Sequence, residues 1–161
     1  MRSTRTARTW LLGPAVFVLA VACAPGPKEG DRMPQPDTGQ VSTDRTEVAE
    51  ALRFGGITLP PSAVVLGVQH DHAIDERYRV AVRVPGSDID ALLSASSFTE
   101  RLTPDSGPFL APIDGYDLSV AEDVESASDT LPPGGDRSRT VSREIAVDRG
   151  QSVVHLWLFT T

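Results

Sequence analysis

The stretch RYRVAVRV, residues 77–84, decides the fold prediction. Tyr78 and the valines that follow it at every second position alternate with arginines and an alanine, the pattern of a β-strand with one buried and one solvated face. Residues 63–70 are a second strand candidate, and residues 71–76 join the two as a hairpin loop. An antiparallel sheet is therefore predicted at the centre of the fold.

The C-terminal residues predict a second hairpin. Segments 140–148 and 151–159 flank Arg149-Gly150, which is expected to form a tight turn. The last segment is apolar on both of its faces. This pattern is typical of a central strand covered on both sides.

Helices are predicted on either side of the first hairpin. Thr43 or Thr46 is expected to cap a helix that ends before a glycine pair, and a second helix is predicted over residues 87–98. Prolines and glycines punctuate residues 99–139, which are predicted to be mostly irregular with a short strand at 116–120.

Together these segments predict one α+β domain over residues 46–161. The expected architecture is a small antiparallel sheet of four or five strands, with one or two helices packed on one face. The expected order of elements is (α)-β-β-α-long loop-β-β.

Charge and cysteine content exclude several classes of protein. The 161-residue chain has a net charge of -7. Removing Arg2, Arg5 and Arg8 with a targeting segment leaves 12 basic and 22 acidic residues, or -10. A chain this acidic, with no cluster of basic residues, is not expected to bind nucleic acid or to dock electrostatically on an anionic membrane. A single cysteine excludes an internal disulfide framework and a cysteine-based zinc cluster.

The N-terminus has the pattern of a secretory signal peptide, residues 1–22. Residues 2–9 are rich in Arg, Ser and Thr, and residues 10–22 form an apolar run broken only by Gly13-Pro14. The run is shorter than the roughly 20 residues that a spanning helix needs.

The end of this run, Ala20-Val21-Ala22-Cys23, resembles the lipobox of bacterial lipoproteins. It departs from the preferred pattern at Ala20, where Leu is commonest. The resemblance implies cleavage before Cys23, a diacylglycerol on its thiol and a location on the outer face of the cell membrane. Two acyl chains suffice for stable anchoring. The alternative is an ordinary A-x-A cleavage site, which would give a secreted protein without a lipid.

Residues 23–45 contain several prolines and glycines and almost no large apolar side chain. Such a composition cannot bury enough surface to offset the entropy lost on ordering, so a disordered tether is predicted between the anchor and the domain.

A second resemblance covers about residues 55–98. The segments 59–63, 78–82 and 88–93, with Pro85, are similar to small lipoproteins of unknown function in high-GC actinobacteria. This resemblance implies a fold and a location, but no activity.

The histidines are the strongest candidates for chemistry. His70 and His72 would share one face of a strand, as zinc ligands do, and His155 lies on another strand candidate. Convergence of all three would create a zinc or copper site. The alternative places His70 and His72 in solvent at the hairpin mouth and leaves His155 partly buried with a hydrogen bond. No nucleophile elbow, P-loop or H-E-x-x-H motif occurs, so no enzyme activity is predicted, and no cofactor beyond the diacylglycerol is expected.

The sequence therefore predicts a lipid-anchored binding or interaction module of the cell envelope. Its expected partners are the membrane, through the anchor, and an envelope protein, a peptide or a wall component. The candidate surface combines the 99–139 loop with the hairpin mouth at 70–77, since loops on rigid scaffolds often carry binding. Beside this surface, a row of solvent-exposed arginines is predicted on one strand: Arg77, Arg79 and Arg83. The oligomeric state is left open.

Overall fold

The strand predicted at residues 77–84 forms, and it lies near the middle of an antiparallel sheet. A computed structural model of the chain describes residues 37–72, 75–105, 110–135 and 137–160. The strands are β1 (Asp37–Thr38), β2 (Val64–His72), β3 (Glu76–Arg83), β4 (Thr103–Pro104), β5 (Val124–Leu131), β6 (Val141–Asp148) and β7 (Val153–Thr160). The helices are α1 (Arg45–Gly55) and α2 (Ile89–Ala95), and short 3₁₀ helices lie at Gly86–Asp88 and Leu118–Val120.

The sheet has the order β1-β2-β3-β7-β6-β5-β4, and every neighbouring pair is antiparallel. The prediction that the last strand is central is confirmed, because β7 lies between β3 and β6. Hydrophobic side chains on both of its faces explain this position, since each face of β7 is covered by other parts of the chain.

Each face of the sheet has its own core. The helix face carries Tyr78, Val80, Leu156 and Leu158, which pack with residues of both helices, including Ala51. The loop face carries Arg79, Ala81, His155 and Trp157, and it is covered by residues 110–121, the covering loop. Two buried side chains of this loop, Ile113 and Leu118, pack against the loop face.

The predicted fold class is wrong. The described residues form a mostly β structure of seven strands with two short helices, where a smaller α+β sheet of four or five strands was expected. The main omission is β5, because its sequence VESASDTL lacks a run of apolar residues at every second position. Segment 116–120, predicted as a strand, instead contains a 3₁₀ helix. β1 and β4 have two residues each, too few for a periodic pattern.

Helix α1 forms where the sequence predicted a helix, but its cap is different. The Asp44 side chain accepts hydrogen bonds from the backbone N–H groups of Thr46 and Glu47, at 2.8 and 3.3 Å. The helix ends at Gly56, whose left-handed conformation (φ 61°) a residue without Cβ adopts readily. Asp44 is the better cap because its carboxylate also interacts favourably with the helix dipole.

The second hairpin turns differently from the prediction. Asp148 pairs with Val153, so the connection comprises residues 149–152 and not the tight Arg149-Gly150 turn. The Asp148 carboxylate accepts a hydrogen bond from the Gln151 N–H at 3.0 Å. Ser152 takes the left-handed conformation, with φ 55°. The aspartate-stabilised loop therefore replaces the glycine turn.

The described fold begins inside the segment predicted as a tether. Asp37 and Thr38 pair with His72 and Asp71, and Ser42 exchanges two backbone hydrogen bonds of 2.8 Å with Val68. Residues 37–45 thus extend the sheet at its edge and enter α1. The rest of the predicted tether, residues 23–36, lies outside the described residues, as do the predicted signal peptide and Cys23.

Candidate functional site

His70 lies on the helix face, stacked on an aromatic neighbour. Its ring centroid is 4.1 Å from that of Tyr78, with the ring planes 16° apart. Its Nε2 is 3.7 Å from Oε1 of Glu76. On the other side, the ring of Phe54 from α1 approaches Tyr78 at 5.1 Å. His70 is thus part of an aromatic stack at the mouth of the first hairpin.

His155 lies on the loop face, in the buried interior. It is 3% exposed, and its ring centroid is 5.4 Å from that of Tyr116 in the covering loop. Its Nδ1 has no hydrogen-bond partner among the described residues. Burial lowers the pKa of His155 to about 4, although the negative charge of Asp148 opposes this shift. His155 is therefore neutral at pH 7.

The three predicted ligands do not form one site. Alternate residues of a strand point to opposite faces, so His70 beside Tyr78 and His155 beside Ala81 are separated by the sheet. The side chain of His72 lies outside the described part of the structure. In the described ranges, no group of three or more His, Cys, Asp or Glu side chains could hold a metal ion.

The row of arginines predicted to be wet is partly buried. Arg79 is 5% exposed and donates to Asp71 and to the backbone carbonyl of Pro112, both at 2.8 Å. Arg77 donates to the same aspartate at 2.9 Å. This correction follows from the covering loop, whose packing onto the loop face no local pattern in β3 reveals. Arg79 therefore forms a buried structural ion pair and is not part of a solvent-exposed row.

A groove of about 360 Å³ opens where α1 and β3 meet Gly135 and Arg137. We call it the Arg137 groove; its other lining residues are Glu50, Arg53, Phe54, Glu76 and Tyr78. Glu50, Arg53 and Phe54 are spaced by three and four positions in α1, so they share one side of the helix. The groove joins the hairpin mouth to the end of the segment 99–139.

The Tyr78 hydroxyl lies close to several charged groups of the groove. Its ring is almost wholly buried, and its O–H donates to Oε1 of Glu76 at 3.2 Å. Burial raises the pKa of Tyr78, and the negative charges of Glu76 and Glu50 raise it further, whereas Arg53 acts in the opposite direction. Groups of both signs therefore lie close to this hydroxyl.

Among the described residues, neither of the two arginines of the groove, Arg53 and Arg137, forms an ion pair with a carboxylate, although both lie near glutamates. Nε of Arg137 is buried without a hydrogen-bond partner among the residues described. The backbone of Arg137 is fixed by two hydrogen bonds of 3.1 Å with Gly134. The groove thus offers two cationic groups on fixed backbone.

A second cavity, of about 450 Å³, adjoins the Arg137 groove. It shares Glu50 and Tyr78 with that groove and is also lined by Glu47, His70 and residues 39–42. Of the predicted site residues whose side chains are described, only His70 contributes to these two spaces. No pattern in the sequence singles out Arg53 or Arg137, because the other residues of the groove come from distant segments.

In comparisons with known proteins, no family model, no curated protein and no solved structure matches the chain. Among the described residues, none of the helices is long and apolar enough to cross a membrane.

Proposed function

We propose that this protein is a lipid-anchored, extracytoplasmic binding module and that the Arg137 groove is its ligand site. One observation carries the assignment of the site. The groove brings together the hairpin mouth and the end of the 99–139 segment, and it combines aromatic side chains with charged groups of both signs. Small-molecule sites commonly combine apolar walls with a few polar groups that orient the ligand.

The anchoring part of the proposal rests on the sequence. Cys23 is the single cysteine and directly follows an apolar run that ends in Ala20-Val21-Ala22. A diacylglycerol on its thiol would hold the chain at the outer face of the membrane. The described fold begins at Asp37, so the residues between would separate the groove from the lipid.

Photo-crosslinking in cells tests the site. A photoreactive lysine analogue replaces Arg53 in the groove and, in a matched control, Arg45 at the exposed start of the same helix. Both substitutions keep a positive charge. We expect illumination to yield an adduct with an envelope component from position 53 only. Equal adducts from both positions, or none from position 53, would contradict the assignment of the groove.

A further inference from the structure

We infer that the Arg137 groove binds a zwitterionic ligand of amino-acid or short-peptide size. Its ammonium group would lie between Glu50 and Glu76, and its carboxylate would face Arg53 and Arg137. This inference rests on the proposed function of the groove and names the chemical class of its ligand.

The charges of the groove exclude the simpler ligands. An anion such as free phosphate would be attracted by Arg53 and Arg137 but repelled by Glu50 and Glu76, all of which line the same space. A simple cation would meet the reverse arrangement. A ligand that carries both charges a few bonds apart satisfies all four side chains.

The unsatisfied arginines favour a carboxylate in particular. A guanidinium presents planar pairs of N–H donors that match the two oxygens of a carboxylate. Arg137 has a buried Nε without a partner, and no described carboxylate forms an ion pair with it or with Arg53. Only the Nε of Arg137 is buried, whereas Arg53 is exposed, and a buried donor without a partner is costly. A bound carboxylate would remove that cost.

The two glutamates of the groove suit an ammonium group. Glu76 accepts a hydrogen bond from Tyr78, and the carboxylate keeps further lone pairs for a donor. The ring of Phe54, which packs on Tyr78 at 5.1 Å, supplies an apolar wall beside these carboxylates.

The volume of the groove limits the size of the ligand. About 360 Å³ lies near the lower end of the range of roughly 300–1,000 Å³ for small-molecule sites. A free amino acid or a short peptide end fits this space, whereas a folded partner would have to insert a chain terminus.

Equilibrium dialysis of the full chain against peptide pools tests the inference. The probes are tripeptides of uncharged residues, prepared with free termini, with acetylated N-termini and with amidated C-termini. We expect the pool with free termini to be retained about tenfold better than either blocked pool, the size expected for one charge-assisted contact. Equal retention of all three pools, or retention of none, would overturn the inference.

Matched variants assign the effect to the groove. R137M and E50Q should each reduce the preference for free termini to that of a blocked pool, whereas R45M, at the start of α1 and outside the groove, should keep it. A preference that survives R137M and E50Q would also overturn the inference. If position 53 crosslinks in cells while no pool is preferred, only the ligand class fails. If the crosslink fails as well, the proposed function fails with it.

Discussion

At the scale of single residues, the Arg143 side chain donates five hydrogen bonds in the described interior. It is 1% exposed and donates to both oxygens of Asp129, at 2.7 and 2.6 Å. It also donates to three backbone carbonyls at the ends of the two helices, those of Gly55, Ser96 and Ser97. The last carbonyls of a helix lack partners within it and carry partial negative charge. One guanidinium therefore ties both helices to β5 and β6.

Replacing Arg143 should be among the most destabilising single changes. Arg143→Met leaves Asp129, whose side chain is 2% exposed, charged and without its partner. We expect a loss of about 3–5 kcal/mol in the free energy of unfolding, measured by urea denaturation. Arg149→Met is the matched control, because the Arg149–Glu125 pair also holds β5, here to the loop that follows β6, but is partly exposed. Its loss should be about 1 kcal/mol or less, and equal losses would contradict this account.

His155 should make the fold sensitive to acid. Its pKa is about 4 in the folded protein and 6.5 for a histidine exposed to solvent, as in the unfolded chain. Below pH 6.5 the unfolded chain binds a proton that the folded chain rejects, so stability is lost as the pH falls towards 4. The loss is on the order of 3 kcal/mol.

Urea denaturation between pH 7 and pH 4 measures this effect. The variant His155→Phe keeps an aromatic ring beside Tyr116 but cannot bind the proton. The wild type should therefore lose stability more steeply than the variant over this range. Parallel pH profiles for the two proteins would refute the role assigned to His155.

The residue scale also shows what the sequence could not reveal. The sequence left His155 either as a metal ligand or as a partly buried residue with a hydrogen bond; in the structure it is 3% exposed, and its Nδ1 has no hydrogen-bond partner among the described residues. Arg143 resembles any other arginine on a strand, because its partners lie 14 to 88 positions away. A buried ion pair between such distant segments leaves no local pattern.

At the scale of elements, the close approach of α1 to β7 fixes the helix on the sheet. A Cβ added at Gly55 would lie 2.6 Å from both terminal methyl carbons of Leu158, a fully buried core residue. Contacts between carbon atoms are favourable only near 3.5–4.0 Å. Gly55, the last residue of α1, is therefore required by packing, whereas Gly56 caps the helix.

This contact reverses the usual effect of a glycine substitution in a helix. Alanine normally improves a helix by up to about 1 kcal/mol. At Gly55 we expect Gly55→Ala to destabilise the protein by about 1–3 kcal/mol, the typical cost of overpacking. Thermal and urea unfolding measure the change. Gly86→Ala, where the added Cβ meets nothing within 4 Å, should be nearly neutral. A stabilising Gly55→Ala would contradict the predicted clash.

The elements that the sequence predicted correctly are those with a clear hydrophobic period. The strands β2, β3, β6 and β7 and the helix α1 carry clear apolar periods, and each forms close to its predicted position. β5 is polar because Asp129 on it pairs with Arg143 and because it lies near the edge of the sheet. The covering loop packs through isolated side chains such as Ile113 and Leu118, which form no periodic pattern in the sequence.

At the scale of the whole molecule, the two faces of the sheet differ in what they offer. The loop face is closed over buried Arg79 and His155, whereas the Arg137 groove opens beside α1 and the hairpin mouth. The proposed lipid at Cys23 would hold this groove near the outer face of the membrane. The groove could not be predicted from the sequence, because its glutamates and arginines come from three separate segments.

Lipid attachment at Cys23 is the central claim, and metabolic labelling tests it most directly. Cells expressing the wild type or Cys23→Ser are grown with a labelled fatty acid, and the protein is isolated from each. A diacylglycerol on the thiol predicts label on the wild-type protein and none on the variant. Label on both proteins, or on neither, would contradict the claim.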